Sequence, residues 1–403
     1  MLGAAVLVAF GVWRLLECKE LAARPSEWPQ KQKGAWGLGV LADVGEQSFG
    51  AVGVFVAAFG ILGTQLGIAL SYVVVIIETL REPTLLGARC SALTLRLAVG
   101  GALCCFCLLR RLNGLAKLSG AALLIYAYLL GALLFFGCPR LVSGEVPGEA
   151  AAWLPVRWGG VGPFLGTAIF SMEAIVLCQY VYDDMRLSER RRFLPVLVSS
   201  FGISGGLFAF VGAFGVLSYG DELRNIFYLN FPAGGPAVVI GELVLCTVLM
   251  LSFALHMYPI MTFLEATLLG VRPGDASCAG GAEAAADAQP GCSGGGDAES
   301  GEPHKAGQPA SAWARCAVLS LAVVLRCAAV AAVCTAAAMV PNLACVTGYT
   351  GGFAMSSVSF FMPALCHVKL LGGRLSPVQW LGDAVLVAAG CAAMGLGLAN
   401  TSC

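Results

Sequence analysis

Charge is what this sequence has least of. Asp, Glu, Lys and Arg make up 12% of its 403 residues, against about 25% in a soluble domain. Acidic and basic residues number 24 each, so the formal net charge is zero. No basic arm and no interleaving of bases with aromatics occurs, which excludes nucleic acid as a partner. Histidine is scarcer still, with three residues, none spaced from a cysteine pair as metal ligands are. No metal and no cofactor is therefore expected. The first apolar run does not read as a secretory leader, because no basic region precedes it and no small-residue cleavage site follows it.

What the sequence has instead is apolar surface. Hydrophobic residues make up 58% of it and the mean hydropathy is +0.82, so the bilayer must solvate most of the chain. Even the 17 cysteines lie mostly inside apolar runs, as in Cys104-Cys105-Phe106-Cys107, where a reduced thiol behaves as a small hydrophobe. Measured against the roughly 20 residues a helix needs to cross a membrane, apolar windows fall near 2–16, 49–80, 92–109, 118–137, 163–182, 193–217, 236–258, 316–340, 341–368 and 378–399. The expectation is an all-α polytopic membrane protein with about ten spans. The first window is marginal. From Leu2 to Trp13 it offers roughly 18 Å of helix against a hydrocarbon core of about 30 Å, and Arg14 would have to snorkel to extend it to Leu16. The eighth and ninth windows meet at the turn signal Pro341-Asn342.

Lys and Arg are distributed unevenly between alternate loops. The set that starts with 17–48 carries 16 of them and the opposite set carries 5, which by the positive-inside rule places the first set in the cytoplasm. The organisation expected is a helical unit over 1–270, a linker over 271–312 and a second helical unit over 313–403. The linker is rich in Gly, Ala, Ser, Pro and acids, lacks apolar periodicity and reads as a disordered cytoplasmic segment. Loop 138–162 falls on the other side.

Three stretches concentrate polar chemistry inside apolar surroundings. The first is Gly162-Pro163-Phe164-Leu165-Gly166-Thr167-Ala168-Ile169-Phe170-Ser171-Met172-Glu173, which leads to Tyr182 and the charged turn Asp183 to Arg192. Glycine weakens a helix by about 1 kcal/mol relative to Ala, so this span can open its backbone near Gly166, as discontinuous transporter helices do. Alternatively, its small residues serve close helix packing. The second runs from Leu251 to Pro259, where Ser252, His256 and Pro259 share one helix face. The Ser252 hydroxyl can hold a small cation, or it can bond its own helix carbonyl. His256, near the cytoplasmic end of its window, reads as an interfacial histidine. The third is the set of intramembrane charges Glu173, Glu78, Arg326, Glu242 and Arg96, each a functional candidate by default. Glu173 and Arg326 lie deepest and are candidates to pair.

The run Gly166 to Glu173, with Asp183-Asp184-Met185-Arg186 after it, resembles the central helix of the amino acid/auxin permease family, close to its proton-coupled and vacuolar members. Thr64-Gln65-Leu66-Gly67 with Tyr72 resembles the family's third helix, Ser252 to Pro259 its eighth, and Ile226 to Pro232 the loop before that helix. The chain departs from the pattern with Ser252, Ala254 and His256 where Thr, Pro and Gln are usual, and with Ala174 where Gly follows the glutamate. It has Phe10 where some proton-coupled members have histidine.

The resemblance implies a LeuT-like inverted-repeat fold and secondary transport of neutral amino acids driven by H+ or Na+, in a plasma membrane or a vacuolar or lysosomal one. It implies no catalytic residue. Gly166, Thr167, Phe170, Ser171 and Tyr72 are the substrate-binding candidates, and Ser252 and Glu173 the ion-coupling ones. The 2–16 window resembles the second helix of the family, so the sequence as read is expected to lack the first helix and to be poorly active alone. A rival reading on the same scaffold is a non-transporting amino acid sensor that signals through the 271–312 linker, and a third is an incomplete, non-functional product.

Overall fold

The computed structural model describes residues 1–22, 38, 40–82, 85, 90–108, 115–143, 160–173, 175–186, 188–224, 226–232, 234–270, 312–340 and 343–399. The linker expected at 271–312 (save Ala312), residues 144–159 of loop 138–162, and the Pro341-Asn342 turn lie outside the described residues.

Every regular element among the described residues is a helix. In chain order the helices are α1 (Leu2–Ala22), α2 (Val40–Phe49), α3 (Ala51–Leu80), α4 (Ala92–Leu108), α5 (Leu115–Ser143), α6 (Val161–Ser171) and α7 (Ile175–Asp184). They continue with α8 (Phe193–Tyr219), α9 (Pro236–Leu269), α10 (Ala312–Met339), α11 (Leu343–Tyr349), α12 (Met362–Leu371) and α13 (Pro377–Ala399). Two π-helical runs, Thr350–Met355 and Ser357–Phe361, join α11 to α12.

Among the described residues, seven helical stretches are long and apolar enough to cross a membrane, and α4 and α6 are shorter apolar helices. The chain is a multi-pass membrane protein. Several window boundaries shift for local reasons. The first helix runs on to Ala22, past the apolar window, because Glu17, Lys19 and Glu20 continue it as a polar extension. The second window begins later than expected, since Gly50 (φ +62°) turns the chain between α2 and α3, a backbone conformation that costs glycine nothing. Helix α9 begins with proline in its first turn and ends on Gly270 in the left-handed region, the usual asymmetry of helix ends.

Burial separates inner from outer helices. Two-thirds of the apolar window of α3 is buried (67%) and 61% of that spanning α11 to α12, against 11% for α5 and 17% for α8. The outer helices turn residues such as Leu124, Phe135 and Ile203 outward, a surface that suits lipid. One apolar core gathers α1, α2, α6, α7, α8, the π-helical runs, α12 and α13, a second gathers α4, α9 and α10, and α3 contributes to both. Arg224 donates to Glu82 at 2.8 Å, tying the loop before α9 to the residues just after α3.

Candidate functional site

The central span is broken, but not where the glycine suggested. Helix α6 continues through Gly166 to Ser171, the break falls at Met172 and Glu173, and α7 begins at Ile175. At the break, the N–H of Met172 donates to the carbonyl of Ile169 and that of Glu173 to the carbonyl of Phe170. Gly166 serves contact instead. A Cβ there would stand 2.6 Å from the Gly348 carbonyl oxygen and 2.8 Å from its Cα, and one on Gly351 would run into the Gly166 carbonyl. Backbone therefore lies on backbone between α6 and the α11 region, the close approach small residues permit. Both readings of this stretch hold, six or more residues apart.

The expected site residues divide into three groups. Gly166 and Thr167 face α11, where the Thr167 hydroxyl bonds that of Thr347 at 3.1 Å. Ser171 and Glu173 line a cavity of about 480 Å³ between the broken span and α8, together with Ser200, Ser204 and Arg192. The Ser171 hydroxyl donates to the Thr167 carbonyl at 2.8 Å within its own helix. Phe170 and Tyr72 pack at the edge of the first core.

Glu173 joins the break to α3. The Gln65 amide nitrogen donates to its carboxylate at 3.5 Å. Gln65 is wholly buried, as is its neighbour Thr64, and neither the Gln65 carbonyl oxygen nor the Thr64 hydroxyl has a partner among the described residues. Buried polar atoms normally find partners, so the middle of α3 holds unused hydrogen-bonding capacity on the residue that meets Glu173 and on its neighbour. Two turns along the same helix, the Tyr72 ring meets the His256 ring edge-on at 5.4 Å. His256 Nδ1 lies 2.8 Å from the Ser252 carbonyl oxygen. His256 is thus buried between α9 and α3 rather than interfacial. Ser252 lies one turn before it on α9.

The pairing of Glu173 with Arg326 does not form. Arg326 donates to Glu265 at 2.6 Å and to the Cys107 carbonyl at 3.2 Å, clamping α10 to α9 and α4. Arg14 does not snorkel either; it is 3% exposed and bonded to Glu17. Reading by residue type passed over Gln65, although its stretch was singled out, because an uncharged amide in an apolar window does not announce itself. Asp383 and His367 were passed over too, and the rule on intramembrane ionisable groups could have found both.

A family model described as "Transmembrane amino acid transporter protein" matches residues 1–403. The chain belongs to that family. Within it, the chain is similar to vacuolar amino acid transporter 3 of Saccharomyces cerevisiae, 27% identical over 154 residues that cover 38% of this chain and 22% of that protein. It is similar to vacuolar amino acid transporter 4 of the same yeast, 27% identical over 240 residues covering 58% of this chain and 33% of that protein. Amino acid transporter AVT3C of Arabidopsis thaliana is 24% identical over 238 residues, 58% of this chain and 43% of that protein. Each match therefore spans less than half the length of the relative.

Proposed function

We propose that the chain binds a neutral amino acid at the α6–α7 break and carries it across a membrane by alternating access, coupled to H+ or Na+. The observation that carries this reading is the break itself, with Glu173, Gln65 and the cavity beside it. The first turn of α7 has N–H groups without helical acceptors, and a helix N-terminus favours a carboxylate. The Glu173 carboxylate and the unpartnered Gln65 oxygen suit the substrate ammonium or a coupling cation. Tyr72 and Phe170 bound the side-chain space, and Ser252 supplies a further oxygen on α9. Vacuolar membranes, where the two yeast relatives are named as transporters, are the setting we propose. The 16-to-5 distribution of Lys and Arg supports a cytoplasmic side for the 271–312 linker.

The test is uptake of labelled neutral amino acids into proteoliposomes with an imposed H+ or Na+ gradient, beside direct binding to purified protein. Saturable uptake that the gradient stimulates, and that Glu173→Gln abolishes, is expected. Folded protein that binds no neutral amino acid would end this reading.

A further inference from the structure

Ionisable groups removed from water stay charged only when paired, and one set outside the candidate site is arranged with unusual economy. It lies where α1, α12 and α13 meet, and its members are Arg14, Glu17, His367 and Asp383. Arg14, His367 and Asp383 are buried, and Glu17 is half-buried. Arg14 Nη1 donates to Glu17 Oε2 at 2.7 Å, and Arg14 Nε lies 3.2 Å from Asp383 Oδ1 without hydrogen-bond alignment. The guanidinium is held besides over the Phe10 and Trp13 rings, 4.9 Å from each centroid.

His367 stands between the two carboxylates. Its Nδ1 lies 2.6 Å from Asp383 Oδ2, and its Nε2 lies 3.4 Å from Glu17 Oε2 and also 3.4 Å from Arg14 Nη1. This geometry serves both protonation states. The neutral ring, with its proton on Nδ1, donates to Asp383 and accepts from Arg14. The imidazolium donates to Asp383 and turns an N–H toward Glu17, releasing Arg14 to the carboxylates alone. With His367 neutral, the four groups carry one net negative charge; with His367 protonated they carry none. Burial penalises uncompensated charge, so a proton stabilises the junction of the three helices.

The surrounding elements add few other charges that face it. Helix α1 contributes the Cys18 thiol, which points to the Pro363 carbonyl. Helix α2 packs on α12, bringing the Ser48 hydroxyl to Cys366, and carries Asp43 and Glu46. Helix α12 itself bears Lys369 and is followed by Arg374.

We propose that Arg14, Glu17, His367 and Asp383 form a proton-binding latch, separate from the substrate cleft, that fastens α1, α12 and α13 when His367 is protonated and loosens when it is not. Its route to the cleft is physical. Helix α12 continues through the two π-helical runs into α11, whose Thr347 and Gly348 touch Thr167 and Gly166 on the broken span. Long π segments are rare and often mark functional sites. Only the consequence for uptake rests on the proposed transport function; proton binding by the cluster does not.

The test is 15N NMR of the full chain labelled at histidine, in lipid nanodiscs. The sequence has three histidines, so His256→Gln and His304→Gln assign the remaining signal to His367. Spectra are taken as the buffer is stepped from about pH 8 to pH 5, and the expected result is conversion of the neutral Nδ1–H form to the doubly protonated ring on acidification. Asp383→Asn should weaken proton binding about tenfold, moving the midpoint down by about one pH unit. A His367 signal that keeps one form over that range, or a midpoint that Asp383→Asn leaves in place, would overturn the latch. In proteoliposomes His367→Gln should flatten the pH dependence of uptake; an unchanged pH profile with a lowered melting temperature would make His367 a structural staple only. Absence of uptake by the unaltered chain would count against the transport reading, while the NMR titration would still decide the latch.

Discussion

The molecule keeps buried polar groups in two different ways. At the α6–α7 break they exceed their partners: the Gln65 oxygen and the Thr64 hydroxyl have none among the described residues, and Glu173 is met only by a long hydrogen bond. At the junction of α1, α12 and α13 charged groups are paired with one another: both nitrogens of the His367 ring stand against charged groups, and Arg14 Nε meets Asp383 Oδ1 at 3.2 Å, though without hydrogen-bond alignment. Polar atoms without a partner have free energy to gain from a ligand, whereas paired buried charges have free energy to lose on disturbance. The first should therefore be sensitive in binding and the second in stability.

The largest effect should come from opening the charge-paired cluster. Arg14→Met leaves Asp383 and Glu17 without their cation, and breaking a buried pair by removing one partner costs about 3–5 kcal/mol. The melting temperature in nanodiscs should fall sharply, and Arg14→Met combined with Asp383→Leu should recover part of the loss. Equal melting for the single variant and the parent would show that the cluster is not structurally coupled.

Next in size is the glycine contact beside the open cluster. Gly166→Leu must displace the α11 backbone, and overpacking a tight contact costs about 1–3 kcal/mol or more. Gly160→Leu, where a Cβ would meet nothing within 4 Å, should be tolerated. Size-exclusion profiles of the two variants give the comparison directly. Gly166→Leu is thus a test of packing, and a loss of binding in that variant would carry no information about the substrate.

Glu173→Gln tests the open cluster itself. It should weaken substrate or cation binding at least tenfold, about 1.4 kcal/mol, while leaving the melting temperature nearly unchanged. A large loss of stability with intact binding would reverse the roles of the two clusters.

Smallest is the effect expected at Ser252. If its hydroxyl is one of several cation ligands, Ser252→Ala should raise the half-saturating ion concentration by about tenfold, within the 1–3 kcal/mol scale of a lost buried polar partner. Ser252→Thr should stay near the parent. Identical ion titrations for both would remove Ser252 from the site.

These particular residues show what a sequence conveys and what it withholds. Apolar windows located the spans, because a helix in lipid must be long and must satisfy its own backbone. The special character of 162–173 was legible in its composition. The position of its break was not, since Gly166 could serve either an opening or a contact, and only the presence of Gly348 and Gly351 opposite decides for contact. Glu173 was legible as a buried carboxylate, but its partner was not: Gln65 lies 108 residues away in the chain, and Arg326 was an equally plausible guess by depth. The Arg14 cluster draws on positions as far apart as 14 and 383. Each of its ionisable members could be noticed in the sequence, but which carboxylate meets which base is given only by the fold.

The two π-helical runs between α11 and α12 bear on how the ends of that element are geared. An α-helix advances about 100° per residue at 3.6 residues per turn. A π turn holds one residue more than an α turn, so resetting one run to α geometry changes the angular register of everything beyond it. His367 would then swing around the helix axis relative to Thr347, leaving Asp383 while Thr347 keeps Thr167. The element is in this sense a screw with an adjustable thread, and a rotation of roughly a quarter-turn at one end corresponds to a single residue wound in or out at its middle.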